Sequence, residues 1–287
     1  MTSTLLATAK STRETVRSLD WWTDSLFCLR ISRPPGYRFT PGQFSRLGLA
    51  ELAAPHAVSW RAYSITSASD DPFLEFYGIK VPGGAFTGAV SALRAGDPIL
   101  LEQQPNGFMT LDRFVDGDSL WMLATGTGLG PYLSILQDAP VWRQFRDLIV
   151  VHCVRHAEEL AYQPLLQALQ ARAARDPTQA RLHLVQSVTR DTGAAMHAPQ
   201  HRPDQTAAST TAAKPQTIVR LHARIPAMLA DGSLQAAAGV PLDPGTARLM
   251  LCGNPAMIED TRRLLHERGF RPCRRALPGQ FLTENYW

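Results

Sequence analysis

Residues 120–131 constrain the fold more than any other part of the chain. They begin as an apolar run of strand length, continue through three glycines at alternate positions and end at a proline that opens a helix-like segment at 132–137. A glycine loop between a strand and a helix start gathers backbone N–H groups at one point, which suits a phosphate. Because Gly-x-Gly-x-Gly-Pro differs from the Gly-x-Gly-x-x-Gly fingerprint, an ordinary strand-to-helix turn remains an alternative.

The length and composition exclude several classes of protein. A chain of 287 residues, 45% of them hydrophobic, can bury the cores of two domains. Apolar runs stay below the roughly 18 residues needed for a membrane span, and residues 1–10 lack the apolar core of a secretory signal, so we expect a cytoplasmic protein. The net charge of +4 suits an acidic partner, while the basic–aromatic alternation typical of nucleic-acid binding is missing.

Cysteine and histidine spacing predicts no metal site. The cysteines form no Cys-x-x-Cys pair and no zinc or iron–sulfur spacing, so we expect free thiols in a reducing cytosol. They are Cys28, Cys153, Cys252 and Cys273. His197 and His201 have i,i+4 spacing, but neither a helical pattern nor a third ligand accompanies them.

The first part of the chain has the pattern of short strands separated by turns. We predict a flexible N-terminus over 1–15, followed by an antiparallel barrel or sandwich that extends to about residue 115. The predicted strands are 25–31, 42–49, 74–81 and 99–101. Residues 84–93 interrupt this pattern and predict a short helix with a glycine-bearing entrance.

Two places in this part could bind a ligand. On a strand, Arg61 and Tyr63 point to one face, where an arginine could clamp a phosphate and a phenol ring could stack on a planar ligand. The backbone amides of residues 85–87 could bind a second anionic group at the start of the helix. A half-exposed strand end and an ordinary capped helix are the respective alternatives.

From residue 116 the pattern changes to alternating strands and helices. It predicts strands at 148–154, 181–188 and 247–252, a helix at 164–174, and another that begins after Asn254. This alternation is typical of a nucleotide-binding domain with a parallel sheet. Residues 191–217 are rich in Ala, Thr, Gln, His and Pro and predict a flexible insertion.

Arginines follow the predicted parallel strands where an NAD-binding domain usually has an acidic residue. Arg155 follows the strand 148–154, Arg190 follows 181–188, and Arg224 lies further on. Guanidinium groups at these strand ends would pair with the 2′-phosphate of NADP. For each arginine taken alone, the sequence favours a solvated surface residue, and it is their occurrence at successive strand ends that supports a phosphate site.

Four motifs in order resemble those of the bacterial ferredoxin/flavodoxin–NADP reductases. They are residues 61–64 (RAYS), 124–134 (ATGTGLGPYLS), 252–257 (CGNPAM) and 286–287 (YW). The resemblance extends from about residue 16 to 287, apart from 191–217. It implies a two-domain β + α/β protein, in which an antiparallel β-barrel FAD-binding domain (16–115) precedes a Rossmann-like, parallel-sheet NADP-binding domain (116–287).

The resemblance implies roles for residues near FAD. Tyr63 would stack on the flavin ring, Ser64 would reach flavin N5, and Arg61 would hold the pyrophosphate. The C-terminal tail 284–287 would pack on FAD, although a tail in an apolar crevice is an alternative. Further FAD contacts would come from Ala62, Tyr77, Ala85, Phe86, Thr87, Thr127, Tyr286 and Trp287. Thr87 stands where a serine is common and keeps the hydroxyl.

The resemblance also implies roles near NADP. Arg155, Arg190 and Arg224 match positions that bind the 2′-phosphate, and Cys252 would lie beneath the nicotinamide. Glu284 could relay a proton to N5, with a solvated tail carboxylate as the alternative. Further NADP contacts would come from Gly126, Gly128, Val154, Thr189, Asn254, Pro255, Ala256 and Asp260. The residues expected to act in catalysis are Tyr63, Ser64, Cys252 and Glu284.

The implied activity is electron transfer by a monomeric flavoenzyme. NADPH would pass a hydride to N5 of a non-covalently bound FAD, and single electrons would then pass to ferredoxin or flavodoxin. The basic charge balance fits such an acidic carrier. One alternative of the same fold is an NADPH-dependent flavin reductase or the reductase component of an oxygenase. Another is a non-catalytic redox sensor that binds FAD or NADP.

Overall fold

The computed structural model describes residues 7–50, 57–191, 218–274 and 277–285. These residues form two compact units. The first contains the described residues up to Thr110 together with Gly130–Gln137, and the second contains Leu111–Leu129 and the described residues from Asp138 onward. No helix in the described ranges has the length and apolarity to cross a membrane. The functional domain division predicted at 115–116 stays a prediction.

The first unit is built on a six-stranded antiparallel sheet. Its strands are β1 (Ser11–Trp21), β2 (Leu26–Ser32), β3 (Phe44–Ala50), β4 (Val58–Ser64), β5 (Phe73–Ile79) and β6 (Pro98–Glu102). They lie in the order β4-β3-β6-β1-β2-β5. Ile65, directly after β4, forms a bridge with Phe76 of β5, which joins the two edges of the sheet. The sheet is therefore barrel-like, as predicted.

Two helices complete the first unit. Helix α1 (Ala85–Ala92) contributes Phe86 and Val90 to the core inside the sheet. Helix α2 (Gly130–Gln137) follows the glycine loop, and its residues are buried up to Leu136. The predicted start of α2 at residue 132 is two residues late, because Gly130 and Pro131 already belong to the first turn.

The prediction of a flexible terminus is wrong for residues 11–15. These residues are the first half of β1 and pair with β6, Ser11 opposite Glu102 and Thr15 opposite Pro98. The polar composition of the segment conceals a strand in which Ser11 and Glu14 are buried. The hydroxyl of Ser32 donates a hydrogen bond to the buried carboxylate of Glu14, which compensates for its loss of hydration.

The second unit is built on a six-stranded parallel sheet. Its strands are β7 (Ser119–Thr125), β8 (Asp147–Val154), β9 (Arg181–Val188), β10 (Val219–Leu221), β11 (Ala247–Gly253) and β12 (Phe281–Asn285). They lie in the order β10-β9-β8-β7-β11-β12, and each neighbouring pair is parallel. The predicted Rossmann-like sheet is thus confirmed. The chain proceeds outward from β7 in both directions, so β7 and β11 flank the topological switch point, the usual ligand site of such sheets.

Helices accompany the parallel strands. They are α3 (Val141–Gln144), α4 (Gln163–Ala173), α5 (Ile225–Ala230), α6 (Ser233–Ala238) and α7 (Pro255–Glu267). Helix α7 begins as predicted, because the side chain of Asn254 accepts hydrogen bonds from the amides of Ala256 and Met257. Its face with Ile258 and Leu265 is buried in the core of the unit.

Candidate functional site

The glycine loop lies at the switch point of the parallel sheet. It follows β7 as a 3₁₀ turn, Gly126–Leu129. Gly126 has a φ of +53°, which a residue with a side chain rarely adopts, and the space beside its Cα is open. Gly128 is needed for a different reason, because a Cβ at this position would collide with the carbonyl oxygen of Cys252. The loop is therefore packed tightly against the end of β11 and open at Gly126.

The start of α7 is joined to the same loop. The Asn254 amide donates a hydrogen bond of 2.7 Å to the hydroxyl of Thr125, the last residue of β7. Gly253 has a φ of +128°, and a Cβ there would collide with the Thr125 side chain. The carboxyl ends of β7 and β11 and the start of α7 consequently converge at one place. The predicted NADP contacts Asn254 and Ala256 are exposed there, and Pro255 is half-buried.

The sequence analysis missed His152, whose imidazole contacts the backbone of the glycine loop. Its Nε2 lies 3.0 Å from the carbonyl oxygen of Gly126. The side chain is completely buried, and this burial lowers the pKa of His152 to about 4. The imidazole is therefore neutral at pH 7, with Nε2 as the donor. The available signal was a single histidine within an otherwise apolar strand.

The structure brings Arg155 and Arg190 together. The Arg190 amide donates a hydrogen bond of 2.9 Å to the Arg155 carbonyl, so the two residues are neighbours at the ends of β8 and β9. Both side chains are exposed. Arg224 is the residue before α5, just after β10, and is also exposed. The structure records no salt bridge from these three guanidinium groups to any other residue within the described ranges.

The acidic residues near these arginines are hydrogen-bonded to backbone amides. The Glu159 carboxylate accepts from the amides of Arg155, at 2.8 Å, and of His156. Asp191 accepts from the Ala157 amide at 2.6 Å and from Nδ1 of His156 at 2.7 Å, and these bonds hold the pKa of Asp191 below its usual range. The carboxylates therefore shape the turn after β8 without pairing with Arg155. Their roles are a second feature that the sequence analysis missed.

Other residues predicted near NADP vary in exposure. Val154 is buried, and its carbonyl accepts a hydrogen bond of 3.1 Å from the Thr189 hydroxyl. Asp260 is exposed and lies 3.8 Å from Arg263 within α7. Cys252 is completely buried, and burial, assisted by the negative charge of Glu284, raises the pKa of its thiol well above the usual value.

Glu284 is the neighbour of Cys252 across the sheet. It lies opposite Cys252 in the pairing of β12 with β11 and is half-buried. The tail residues Tyr286 and Trp287 and most of the insertion 191–217 lie outside the described residues. Their predicted roles remain predictions.

The first unit holds the residues predicted to bind FAD around the end of β4. The Arg61 guanidinium and the Tyr63 ring both lie about 6.0 Å from the ring centre of Phe86, so they share one face. Arg61 and Ala62 are exposed, whereas burial raises the pKa of Tyr63 to about 12. The Ser64 side chain is buried, and its hydroxyl has no hydrogen-bond partner among the described residues.

The neighbouring residues of this unit support that arrangement. A Cβ at Gly78 would collide with the Phe27 ring and lie 2.8 Å from the Tyr63 ring, so this glycine makes room for both rings and is a third feature that the sequence analysis missed. The Thr87 hydroxyl accepts a hydrogen bond of 3.0 Å from the Val81 amide and thus braces the entrance to α1. Tyr77 is completely buried. Thr127, also predicted near FAD, is buried in the second unit.

Comparisons with known proteins agree with this architecture. A family model described as an oxidoreductase NAD-binding domain matches residues 122–219. The flavodoxin/ferredoxin–NADP reductase of Shigella flexneri is 38% identical over 267 residues, which cover 93% of this chain and 94% of the relative. Ferredoxin–NADP reductase A of Sorangium cellulosum is 34% identical over 276 residues, with 95% and 89% coverage.

A solved structure is similar over the whole chain. It is a ferredoxin NADP⁺ reductase from Neisseria gonorrhoeae with bound FAD and NADP. The two chains are 32% identical, with a TM-score of 0.82 and coverage of 98% of this chain and 100% of the other.

Proposed function

The chain belongs to the flavodoxin/ferredoxin–NADP reductase family of oxidoreductases, and we propose on that premise that it moves electrons between NADP(H) and ferredoxin or flavodoxin through a non-covalently bound FAD. The described residues of the first unit would bind FAD, and those of the second would bind NADP(H). The observation that carries this proposal is the adjacent pair of exposed arginines, Arg155 and Arg190, at the carboxyl end of the parallel sheet.

The residues at the end of β4 fit a flavin. Tyr63 presents a rigid aromatic ring held by Phe27 and Phe86, with ring centres 6.2 and 6.0 Å away. Leaving a buried hydroxyl without a partner costs about 1–3 kcal/mol, and a polar ligand atom beside Ser64 would recover that cost. Arg61 is exposed on the face of Tyr63 and could pair with a pyrophosphate. Ala62, Tyr77, Ala85, Phe86 and Thr87 are the further residues that we assign to FAD, and Ser64 is the residue we assign to flavin N5.

The carboxyl end of the parallel sheet fits the phosphates of NADP(H). Two guanidinium groups on neighbouring strand ends match the two negative charges of a 2′-phosphate better than the neutral 2′-hydroxyl of NAD. Arg224, after the next strand, adds a third positive charge at the same end. The open backbone at Gly126 allows a pyrophosphate to approach the loop without steric conflict.

The bound cofactors would supply the redox chemistry, which is hydride transfer between nicotinamide and flavin N5 followed by release of single electrons. The chain supplies positioning and electrostatics. Cys252 is held as a neutral thiol, so it would add volume without charge beneath the nicotinamide. Glu284, half-buried beside it, is the carboxylate that we assign to proton delivery. Tyr63, Ser64, Cys252 and Glu284 are therefore the proposed catalytic set.

The proposed electron carrier is acidic. The net charge of the chain is +4, and long-range attraction between opposite charges accelerates association of electron-transfer partners. We propose that the reductase acts as a monomer and that its encounter with the carrier weakens as the salt concentration rises.

Anaerobic stopped-flow absorbance tests the proposal. The protein, reconstituted with FAD, is mixed with NADPH and separately with NADH, and bleaching of the visible flavin band is followed. We expect bleaching to be fast with NADPH and at least tenfold slower with NADH. Equal rates would overturn the 2′-phosphate assignment, and failure to retain FAD would overturn the whole proposal. Reduction of added ferredoxin or flavodoxin by NADPH then identifies the carrier.

A further inference from the structure

Among the buried polar side chains near the carboxyl end of the sheet, His152 is one to which the proposed function gives no role. His152 lies in the middle strand pair of the second unit, opposite Ala124 of β7 and Gln186 of β9. It is 1% exposed, and its only recorded hydrogen bond to a described residue joins Nε2 to the carbonyl oxygen of Gly126 at 3.0 Å. Because a carbonyl oxygen only accepts hydrogen bonds, Nε2 carries the proton.

The Gly126 carbonyl belongs to the 3₁₀ turn Gly126–Leu129, so the bond from His152 adds a side-chain constraint to a peptide that the backbone of the turn also engages. Space beside the Gly126 Cα is open, so a Cβ at this position would meet no neighbouring atom. The peptide unit is planar and trans, so the Gly126 carbonyl and the Thr127 N–H point in opposite directions. When His152 holds the carbonyl, it also sets the direction of the Thr127 N–H. That N–H is the second amide of the glycine loop.

A purely structural role explains His152 poorly. Its Nδ1 is buried without a hydrogen-bond partner among the described residues, and so is Oε1 of its neighbour Gln186. Each such atom costs about 1–3 kcal/mol, so an apolar side chain at this position would be cheaper if filling the core were its only role. The amide nitrogen Nε2 of Gln186 donates a hydrogen bond to Oε1 of Gln163. The Nε2 of Gln163 in turn lies 3.3 Å from the carbonyl oxygen of Ala161. His152 is thus the member of this row of polar side chains that reaches the glycine loop.

We propose that His152 is a positioning residue for the dinucleotide, because its Nε2–H fixes the Gly126–Thr127 peptide in the orientation that presents the loop amides to a nucleotide phosphate. The inference rests on the proposed function for the identity of the ligand. His152 itself touches no ligand and acts through the backbone of the loop.

Two substitutions separate positioning from packing. His152→Leu keeps the volume of the side chain approximately and removes the donor. His152→Gln places an amide nitrogen near the position of Nε2 and restores a donor to Gly126. The matched control is Gln170→Leu, which removes another buried side-chain donor to a backbone carbonyl, that of Leu182 at 3.0 Å. Leu182 lies near the start of β9, at the opposite end of the sheet from the loop.

The first measurement is hydrogen–deuterium exchange of the FAD-loaded protein without nucleotide. We expect peptides covering residues 124–130 to exchange faster in His152→Leu than in the wild type and in Gln170→Leu. His152→Gln should return toward the wild-type rate. Unchanged exchange in His152→Leu would overturn the proposal, whatever nucleotide the protein binds.

The second measurement is the dissociation constant of NADP⁺, followed by the kcat and KM of NADPH oxidation. His152→Leu should weaken NADP⁺ binding about five- to tenfold and raise KM by a similar factor while kcat changes less than about twofold, as expected for the loss of one hydrogen bond. Gln170→Leu should bind NADP⁺ as the wild type does, and equal losses in both variants would overturn the inference. A wild type that binds no NADP⁺ would overturn the proposed function instead, while the exchange measurement still decides the role of His152.

Discussion

Asp147 and Arg155 stand at opposite ends of β8, in opposite electrostatic surroundings. Asp147 is 1% exposed and accepts hydrogen bonds from Nε and Nη2 of Arg181, both at 2.8 Å, from Nε2 of His183 at 2.8 Å and from Nε of Arg146 at 3.1 Å. These bonds hold the pKa of Asp147 below its usual value in spite of burial. Beyond the other end of the strand, the Arg155 guanidinium has no recorded acidic partner within the described ranges.

The difference distinguishes two uses of arginine in one domain. At the amino end of the sheet, arginines compensate for a buried carboxylate and join the starts of neighbouring strands. At the carboxyl end, arginines leave their charge available, because Glu159 and Asp191 are already hydrogen-bonded to backbone amides. The partner of the side chain, and not the residue type, therefore indicates which arginines can bind a phosphate.

The largest effect is expected at the amino end. Asp147→Asn replaces a buried carboxylate that accepts four hydrogen bonds with an amide that accepts fewer, and we expect the free energy of unfolding to fall by about 3 kcal/mol, since each hydrogen bond to a charged group contributes about 1.5–3 kcal/mol. The KM for NADPH should stay within about twofold of the wild type. Chemical denaturation and steady-state kinetics check the two values. A large rise in KM with unchanged stability would contradict the division between the two ends.

The next effect is expected at the carboxyl end. The double substitution Arg155→Ala, Arg190→Ala should lower kcat/KM for NADPH about a hundredfold, since each charge-assisted hydrogen bond contributes about 1.5 kcal/mol or more. Activity with NADH should change little, because the 2′-hydroxyl offers no charge to bind.

Arg181→Ala provides the control for charge. It removes one positive charge from β9, the strand that Arg190 follows, but from its amino end. Arg190→Ala alone should lower the preference for NADPH over NADH by about tenfold, whereas Arg181→Ala should leave it unchanged. Similar losses in both single variants would mean that the overall charge, and not a local phosphate site, sets the preference.

A smaller effect is the pH dependence of stability, which should differ between His152, near the carboxyl end of β8, and Asp147 at its amino end. The pKa of His152 is lowered to about 4 in the folded state, so between pH 6.5 and 4 the unfolded chain binds a proton that the folded chain does not. Stability therefore falls on acidification, by about 2 kcal/mol between pH 7 and 5 relative to His152→Gln. Because the pKa of Asp147 is lowered from 3.8, its contribution is constant over that range and is lost only below about pH 4.

Urea denaturation at pH 7, 6 and 5 measures both contributions. The stability difference between the wild type and His152→Gln should shrink toward acid, while that between the wild type and Asp147→Asn should stay constant. Parallel curves for all three proteins would show that His152 is hydrated in the folded state.

Local patterns were sufficient to predict much of the fold. The strand at 181–188 and the start of α7 at Asn254 agree with the structure, because a buried apolar run and an N-cap are both encoded by adjacent residues. The sequence analysis predicts no strand over β1, whose first half falls in the expected flexible terminus, and none over the final strand β12. Their pairing partners, β6 and β11, lie elsewhere in the chain, and the polar side chains of both segments conceal their burial pattern.

The candidate site likewise contains features that the sequence predicts and features that it does not. The glycine loop, the RAYS segment and the arginines at strand ends are visible as motifs, although the roles that the resemblance assigns to them remain predictions. The bond from His152 to Gly126 and the space that Gly78 leaves for Tyr63 join residues on different strands. Periodicity along one segment carries no information about such contacts. They became visible only when the strands were placed side by side.

The position of β1 has a consequence for the synthesis of this protein. β1 precedes β2 to β6 along the chain and can form a hairpin with β2 at once, but its other partner is β6, the last strand of the antiparallel sheet. The sheet therefore cannot close until residue 102 has emerged, and pairing of segments so far apart along the chain is slow. All the β1–β6 pairs lie within residues 11–15. Proteolytic removal of residues 11–15 would consequently remove all of these pairs, and β2 and β5 would stay joined to the rest of the sheet through the bridge between Ile65 and Phe76.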